Sequence, residues 1–394
     1  MEQKCYYRLW AEVDLDAIRT NVQQLQKHLG KGVKTCAVIK ADGYGHGALA
    51  LAETLEDLAD YYAVATMEEA MELRLHQVDK PVLILGYVHA SQAEAAIRQE
   101  ISLTVFNLEM AQQISDAAVR LHRKARIHIK VDTGMSRIGF FPNPDSASIV
   151  RKISDLPGIE LEGIFTHFAC SDAESPASAR RQLELFLTFI RMLEQLGIAI
   201  PVKHCANSAA ATCLREADLD MVRLGISIYG LYPSEYIHQQ ELLPALSLKS
   251  HVIMVKTIPA GTCVGYGGTW TAERDSRIAT IPVGYADGYL RSLSNKGSVL
   301  IRGAKYPVAG RVCMDQIMVD VTGGQVEEGD EVVLIGKSGD LQITAEEISA
   351  LAGSFNYEFV CGLGRRVPRI YFRNGQPEEV RDYFSAALQD FVDN

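Results

Sequence analysis

Five stretches of this sequence place amines, guanidinium groups, imidazoles or a hydroxyl at the end of short apolar runs. Lys40 and Tyr44 follow TCAVI, and Lys130, Asp132 and Arg137 follow RIHI. His167 ends LEGIFTHF, His204, Asn207 and Ser208 follow PVK, and Arg223, Gly225 and Ile226 close DMVRLGI. A single strand-end lysine ordinarily carries its charge to solvent along its own methylenes. Several such ends converging on one rim are not expected by accident. The set is rich in cations and poor in carboxylates. Asn207-Ser208 can open a helix whose free N–H groups and dipole bind a phosphate. The Gly225-Ile226 backbone can add donors, with Gly225 permitting close approach. An amine beside such a site suits a carbonyl cofactor bearing a phosphate, pyridoxal 5'-phosphate, held by Lys40 as a Schiff base.

Other chemistries fit less well. The His and Cys residues lack ligand spacing and there is no H-E-x-x-H, so no metal site is expected. GYGHG is not followed by Lys-Ser/Thr and is therefore no P-loop. Eight cysteines are scattered singly without a Cys-x-x-Cys pair, which suits reduced thiols in a cytoplasmic protein. A net charge of −10 over 394 residues argues against a dedicated nucleic-acid binder. The start MEQKCYYRLW has no secretory h-region, and no apolar run is long enough to span a bilayer. Arg120, Arg123 and Lys124 stand at i, i+3, i+4 and, with Arg126 nearby, read as a solvated helix face.

Residues 12–240 alternate apolar runs with amphipathic helical stretches. Strands are expected at TCAVI, YYAVAT, PVLILG, SLTVFN, RIHIKVD, LEGIFTHF, PVKHC and DMVRL. Between them lie helical patterns such as ARRQLELFLTFIRMLEQL, with Leu183, Phe186, Phe189 and Ile190 on one face. Such repetition predicts a (β/α)8 TIM-type barrel, whose reactive groups sit at the C-terminal strand ends. No G-x-G-x-x-G follows the first strand, against a dinucleotide fold. After Pro244 the texture becomes β-branched runs broken by Gly and Pro. This predicts a mainly β C-terminal domain over 241–394, on which residues 1–11 can pack.

AVIKADGYGHG, KVDTGMSRIG, VGYGGTW, RVCMDQIMVD and NYEFVCGLGRRVPRIY run in that order from Lys40 to Tyr371 and resemble the motifs of bacterial alanine racemases. The resemblance implies a pyridoxal-phosphate enzyme that interconverts L- and D-alanine, supplies D-alanine for peptidoglycan, and works as a homodimer with shared sites. By the same resemblance, Lys40 is the covalent anchor. Tyr44, Ser208, Gly225, Ile226 and Tyr357 match phosphate contacts, and Arg223 matches the partner of the pyridine nitrogen. His167 matches a residue beside the cofactor that is coupled to the catalytic tyrosine. That tyrosine is Tyr266, contributed by the other subunit. Arg137 and the Met314 backbone match substrate-carboxylate contacts, and Lys130 matches a lysine that is often N-carboxylated.

These residue types make chemical sense of racemisation, which removes a proton from one face and returns one to the other. Lys40 and Tyr266 can serve opposite faces. Amines and phenols both titrate near 10 in water, so each needs tuning. A protonated His167 and Arg223 would favour tyrosinate. Arg223 cannot protonate the ring as a carboxylic acid would, which sets this chemistry apart from a decarboxylase of related fold. One position departs from the family pattern: Phe355 stands where a smaller aliphatic is usual, and it can narrow the approach to the site. Tyr357 is kept where related serine racemases often carry asparagine, which favours alanine. A serine or broad-specificity racemase, or a non-catalytic cofactor-binding barrel, is the alternative.

Overall fold

The structure, a computed structural model, describes residues 7–384; residues 1–6 and 385–394, within the span expected for the C-terminal domain, lie outside the described residues. The chain divides into two compact units. One comprises Ile18–Gly43 and Ala48–Leu243; the other comprises the described residues up to Ala17, together with Tyr44–Gly47 and the chain from Pro244 onward.

In the first unit all eight expected strands form, at Lys34–Val38, Tyr61–Val64, Val82–Ile84, Ile101–Val105, Ala125–Lys130, Ile159–Phe165, Val202–His204 and Met221–Leu224. They form one parallel sheet in which the first strand pairs with both the second and the last. The ring nearly closes through Asp220 N–H to Lys203 O (3.0 Å) and Arg223 N–H to Ala206 O (2.9 Å). Continuous apolar runs such as Tyr61–Val64 are buried at every residue, as strands covered on both faces must be.

Side chains set the helix starts: Thr66, Asn107 and Asn143 each accept an N–H of the first turn of Met67–Leu75, Leu108–Arg120 and Pro144–Ser154. Helix Ala177–Gln195 buries Leu183, Phe186, Phe189 and Ile190 as its periodicity requires. The basic face expected at Arg120–Lys124 does not form. The helix ends at Arg120 and His122 turns left-handed at φ 52°, so Arg123 and Lys124 leave it and donate to Arg98 O and Pro157 O.

The second unit is mainly β. Leu9–Asp14, a strand outside the sequence reading, lies in its large sheet between Leu246–His251 (antiparallel) and Arg369–Arg373 (parallel). A three-stranded sheet orders Met254–Ile258, Ser276–Ile281 and Ile317–Asp320. The short ribbon Cys263–Val264 with Trp270–Thr271 roots its turn in a small core of Ile258, Val264, Ala272, Ile278 and Ala309. Among the described residues seven cysteines are free, and no helix is long and apolar enough to cross a membrane.

Candidate active site

The first barrel strand delivers Lys40 and then bends abruptly. Ala41, Asp42, Gly43 and Tyr44 all adopt left-handed backbone angles, with φ of 52°, 51°, 59° and 50°. L-residues resist this conformation, at about 1–2 kcal/mol for each non-glycine. Hydrogen bonds hold the turn: Gly43 N–H to Ile39 O at 2.9 Å, Ala41 N–H to Glu69 Oε1 at 2.7 Å, and Ala48 N–H to Asp42 Oδ1 at 2.9 Å.

Around the barrel axis lies a buried cation with neutral partners. Arg223 is 3% exposed. Its Nη1 donates to His204 Nδ1 (2.9 Å), and its Nη2 donates to Thr166 O (2.9 Å), Cys205 O (3.1 Å) and His167 Nδ1 (3.3 Å). Because a guanidinium only donates, His204 must accept at Nδ1 and carry its proton on Nε2. That proton faces His128 Nδ1 at 2.9 Å, which leaves the His128 proton on Nε2, 3.0 Å from Glu162 Oε2. The chain of donors ends on this carboxylate. Burial pushes Glu162 up, but His128 and the Ser102 and Tyr61 hydroxyls more than offset that and bring it down to about 2.

His167 does not play the cationic part expected of it. Burial, then the charges of Arg223, Arg137, Lys130 and Lys40, push it well below the ordinary histidine range, and it accepts from Arg223 as a neutral ring. The same list of charges shows that Lys40, Lys130, Arg137, His167 and Arg223 share one electrostatic neighbourhood. Lys130 is 2% exposed, lies over the Phe165 ring and donates to Val131 O at 2.8 Å. Burial and the two arginines bring its amine from 10.5 to about 7. Arg137 rides on a loop nucleated by Asp132, whose Oδ1 accepts from Gly134, Met135 and Ser136 N–H at 2.9–3.0 Å.

Ser208 opens helix Ser208–Cys213, with Asn207 as its cap. The Ser208 Oγ accepts Gly225 N–H at 2.8 Å, which leaves its own O–H to donate elsewhere. The Gly225 N–H thus fixes the orientation of the serine.

In the second unit, Tyr44 and Tyr357 lie 6.1 Å apart between ring centroids, and Phe355 packs 5.4 Å from Tyr357 while staying 59% exposed. His46 is fully buried, its Nδ1 2.9 Å from Tyr44 O, which makes it a brace for this segment. Arg369, also buried, donates to Gly45 O at 3.0 Å. Tyr266 and Met314, far apart in sequence, share an open groove of ≈ 550 Å³ with Gly265, Cys313, Asp315 and Gln316. Met314 O accepts from Ala286 N–H at 3.0 Å, while its N–H makes no hydrogen bond among the described residues. The loop that supplies Ala286 is pinned by Asp287, fully buried, which accepts from Arg8 and from Gly284 N–H.

The sequence reading missed Glu69, His128, Glu162 and Asp287. Two signals for them were present. Thr66-x-x-Glu69 is a capping box. Gly163 inside a strand marks a close approach, since a Cβ there would overlap the His128 ring.

A family model described as "Alanine racemase, N-terminal domain" matches residues 13–233, and one described as "Alanine racemase, C-terminal domain" matches 245–371. Alanine racemase 2 of Caldanaerobacter subterraneus is 46% identical over 375 residues, covering 94% of this chain and 97% of that protein. Two solved structures superpose closely. Alanine racemase of Clostridium difficile 630 has a TM-score of 0.92 at 41% identity, covering 96% of this chain and 100% of that one. Alanine racemase of Bacillus anthracis with bound L-Ala-P has a TM-score of 0.92 at 36% identity, covering 98% and 100%.

Proposed function

This chain belongs to the alanine racemase family and is an alanine racemase, and from that premise we propose how its own residues perform the reaction and what it serves. It interconverts L- and D-alanine with pyridoxal 5'-phosphate, using Lys40 and Tyr266 as bases on opposite faces of the substrate. The donor set fits this cofactor. Arg223 offers a donor-only cation, bonded to neutral acceptors, to a ring nitrogen that must keep its lone pair. The free hydroxyl proton of Ser208, the Ile226 amide and the tyrosine pair Tyr44 and Tyr357 suit a phosphate. When bound, the cofactor withdraws electrons from the alanine Cα so that its proton can leave.

The observation that carries the reading is Arg223, buried with no carboxylate bonded to it among the described residues. A guanidinium does not give up its proton, so it orients the ring without strengthening its electron demand. Lys40 holds or returns a proton at Nζ on one face, and the Tyr266 hydroxyl does so on the other. Arg137 and the free Met314 N–H bind the substrate carboxylate. Neutral His167 keeps Arg223 aimed without adding a second positive charge.

Lys130 suits N-carboxylation. An amine brought to about 7 is about half unprotonated near neutrality, and that neutral form can bond carbon dioxide at Nζ with loss of a proton, giving Arg137 an anionic partner. Tyr266 is 71% exposed in this chain, which suits a residue completing the site of a second subunit. We assign the product D-alanine to peptidoglycan supply in the cytoplasm.

The test incubates the holoenzyme with L-alanine in heavy water. D-alanine deuterated at Cα is expected; release of carbon dioxide, or no exchange, overturns the reading. In parallel, Tyr266→Phe keeps the cofactor's visible absorption and loses about 10²–10⁴-fold in racemisation. Full activity in that variant removes Tyr266 as a base.

A further inference from the structure

Lys40 stands at the hinge between a regular strand and a left-handed turn, so whatever fixes that turn fixes where the amine points. The first peptide of the turn, Ala41 N–H, meets Glu69 Oε1 at 2.7 Å. The other oxygen of the same carboxylate accepts Ala65 N–H at 2.7 Å and Thr66 N–H at 3.3 Å. Ala65 follows directly on strand Tyr61–Val64, the neighbour of the Lys40 strand. One carboxylate therefore ties together the C-terminal ends of two adjacent barrel strands.

Glu69 is held in its turn by its own helix. It is the N3 residue of Met67–Leu75, and its N–H donates to the Thr66 hydroxyl. A capping box needs the glutamate only to accept the N-cap N–H. Here the second oxygen reaches Ala41, a bond that helix capping does not explain. Charged acceptors make the stronger hydrogen bonds, and this one falls on a backbone conformation that Ala41 and Asp42 resist by themselves.

We propose that Glu69 is a positioning residue for Lys40: its carboxylate locks the left-handed turn and so sets the direction of the Lys40 amine. The proposal rests on the reading of Lys40 as cofactor anchor and as the base for one face. It assigns Glu69 no contact with substrate.

Three holoenzyme variants test it: Glu69→Ala removes all three carboxylate bonds, Glu69→Gln keeps one oxygen acceptor, and Thr66→Ala removes the helix cap while leaving the carboxylate. The first readout is hydrogen–deuterium exchange of the peptide covering residues 39–47. Glu69→Ala speeds it on the order of tenfold or more, Glu69→Gln less, and Thr66→Ala leaves it near wild type. The second readout is the Cα-deuterium isotope effect on kcat for each enantiomer. A misdirected amine slows proton transfer on its own face, up to about 10²-fold. The isotope effect therefore rises for the enantiomer whose Cα proton Lys40 removes, and stays unchanged or falls for the other, whose return proton Lys40 supplies. Equal changes for both enantiomers, or unaltered rates despite faster exchange at 39–47, overturn the positioning role. Lys40→Ala serves as the separate check: racemisation surviving there defeats the reading of Lys40 itself, whatever the Glu69 variants do.

Discussion

Both of the bases assigned above adjoin left-handed backbone, but the two turns reach it in opposite ways. After Lys40 the conformation is imposed on Ala41, Asp42 and Tyr44 and held by hydrogen bonds from Glu69, Asp42 and Ile39. Around Tyr266 it is supplied by Gly265, Gly267 and Gly268, with φ of 74°, 74° and 54°, which adopt it without steric cost. The first turn is buttressed and the second is permissive. Lys40 shares its electrostatic neighbourhood with the buried Lys130 and Arg223, whereas Tyr266 projects 71% exposed from a glycine ribbon above a small core. A base whose partner atoms lie in its own barrel can be locked in place. Completing another subunit's site, the part proposed for Tyr266, calls for a turn that tolerates adjustment.

The sharpest way to break this contrast is to crowd the segment that follows Lys40. Gly47 has φ 102°, and a Cβ there would overlap the hydroxyl of Tyr371, which is itself fully buried. Gly47→Ala combines forbidden backbone with overpacking and should destabilise by about 3 kcal/mol or more. It is read as a lowered denaturant midpoint or failure to accumulate as soluble protein. Wild-type stability would show that the segment is as yielding as the Tyr266 ribbon.

A second prediction asks whether the barrel rim stores charge strain. The folded structure holds the Lys130 amine at about 7, against about 10.4 in the unfolded chain. Between those values the unfolded state binds more protons, so stability rises with pH across the interval and is lost as pH falls through about 7. One such group contributes a slope approaching about 1.4 kcal/mol per pH unit. Lys130→Met should remove that slope. The comparison uses unfolding free energies at several pH values between about 7 and 9, in buffer purged of carbon dioxide so that the amine is not capped. Identical slopes for the two proteins would place the charge strain elsewhere.

The same contrast explains how much of the molecule is legible in its sequence. The eight barrel strands announce themselves because strands buried on both faces are apolar throughout, and the residues ending them are visible as abrupt polarity. Helix Ala177–Gln195 is legible because its apolar face has a regular period. Carboxylates were harder to read: Asp132 stands between Lys130 and Arg137, but Glu69 and Asp287 lie away from the rim cations in sequence. Glu69, Asp132 and Asp287 act on backbone N–H groups beside Lys40, Arg137 and the Met314 loop, and the sequence does not print which amides a carboxylate reaches. The charge of His167 was misjudged for a related reason: burial among Arg223, Arg137, Lys130 and Lys40 makes it neutral, and those neighbours come from three other strand ends. The strand Leu9–Asp14 escapes the sequence reading because it runs directly into the helix Leu15–Gln26 with no turn signal between them.

The smallest expected effect probes the permissive side. Gly267 has φ 74°, and a Cβ there would come no closer than 3.4 Å to a neighbour, the guanidinium of Arg311. With no overlap to relieve, Gly267→Ala should cost only the left-handed preference, about 1 kcal/mol in unfolding free energy. A loss as large as that of Gly47→Ala would mean the ribbon is as tightly determined as the Lys40 turn, and the distinction between them would fall. A loss near 1 kcal/mol together with a clear drop in racemisation would sharpen it. The ribbon would then be cheap to distort in this chain, yet its direction would matter where Tyr266 reaches the substrate.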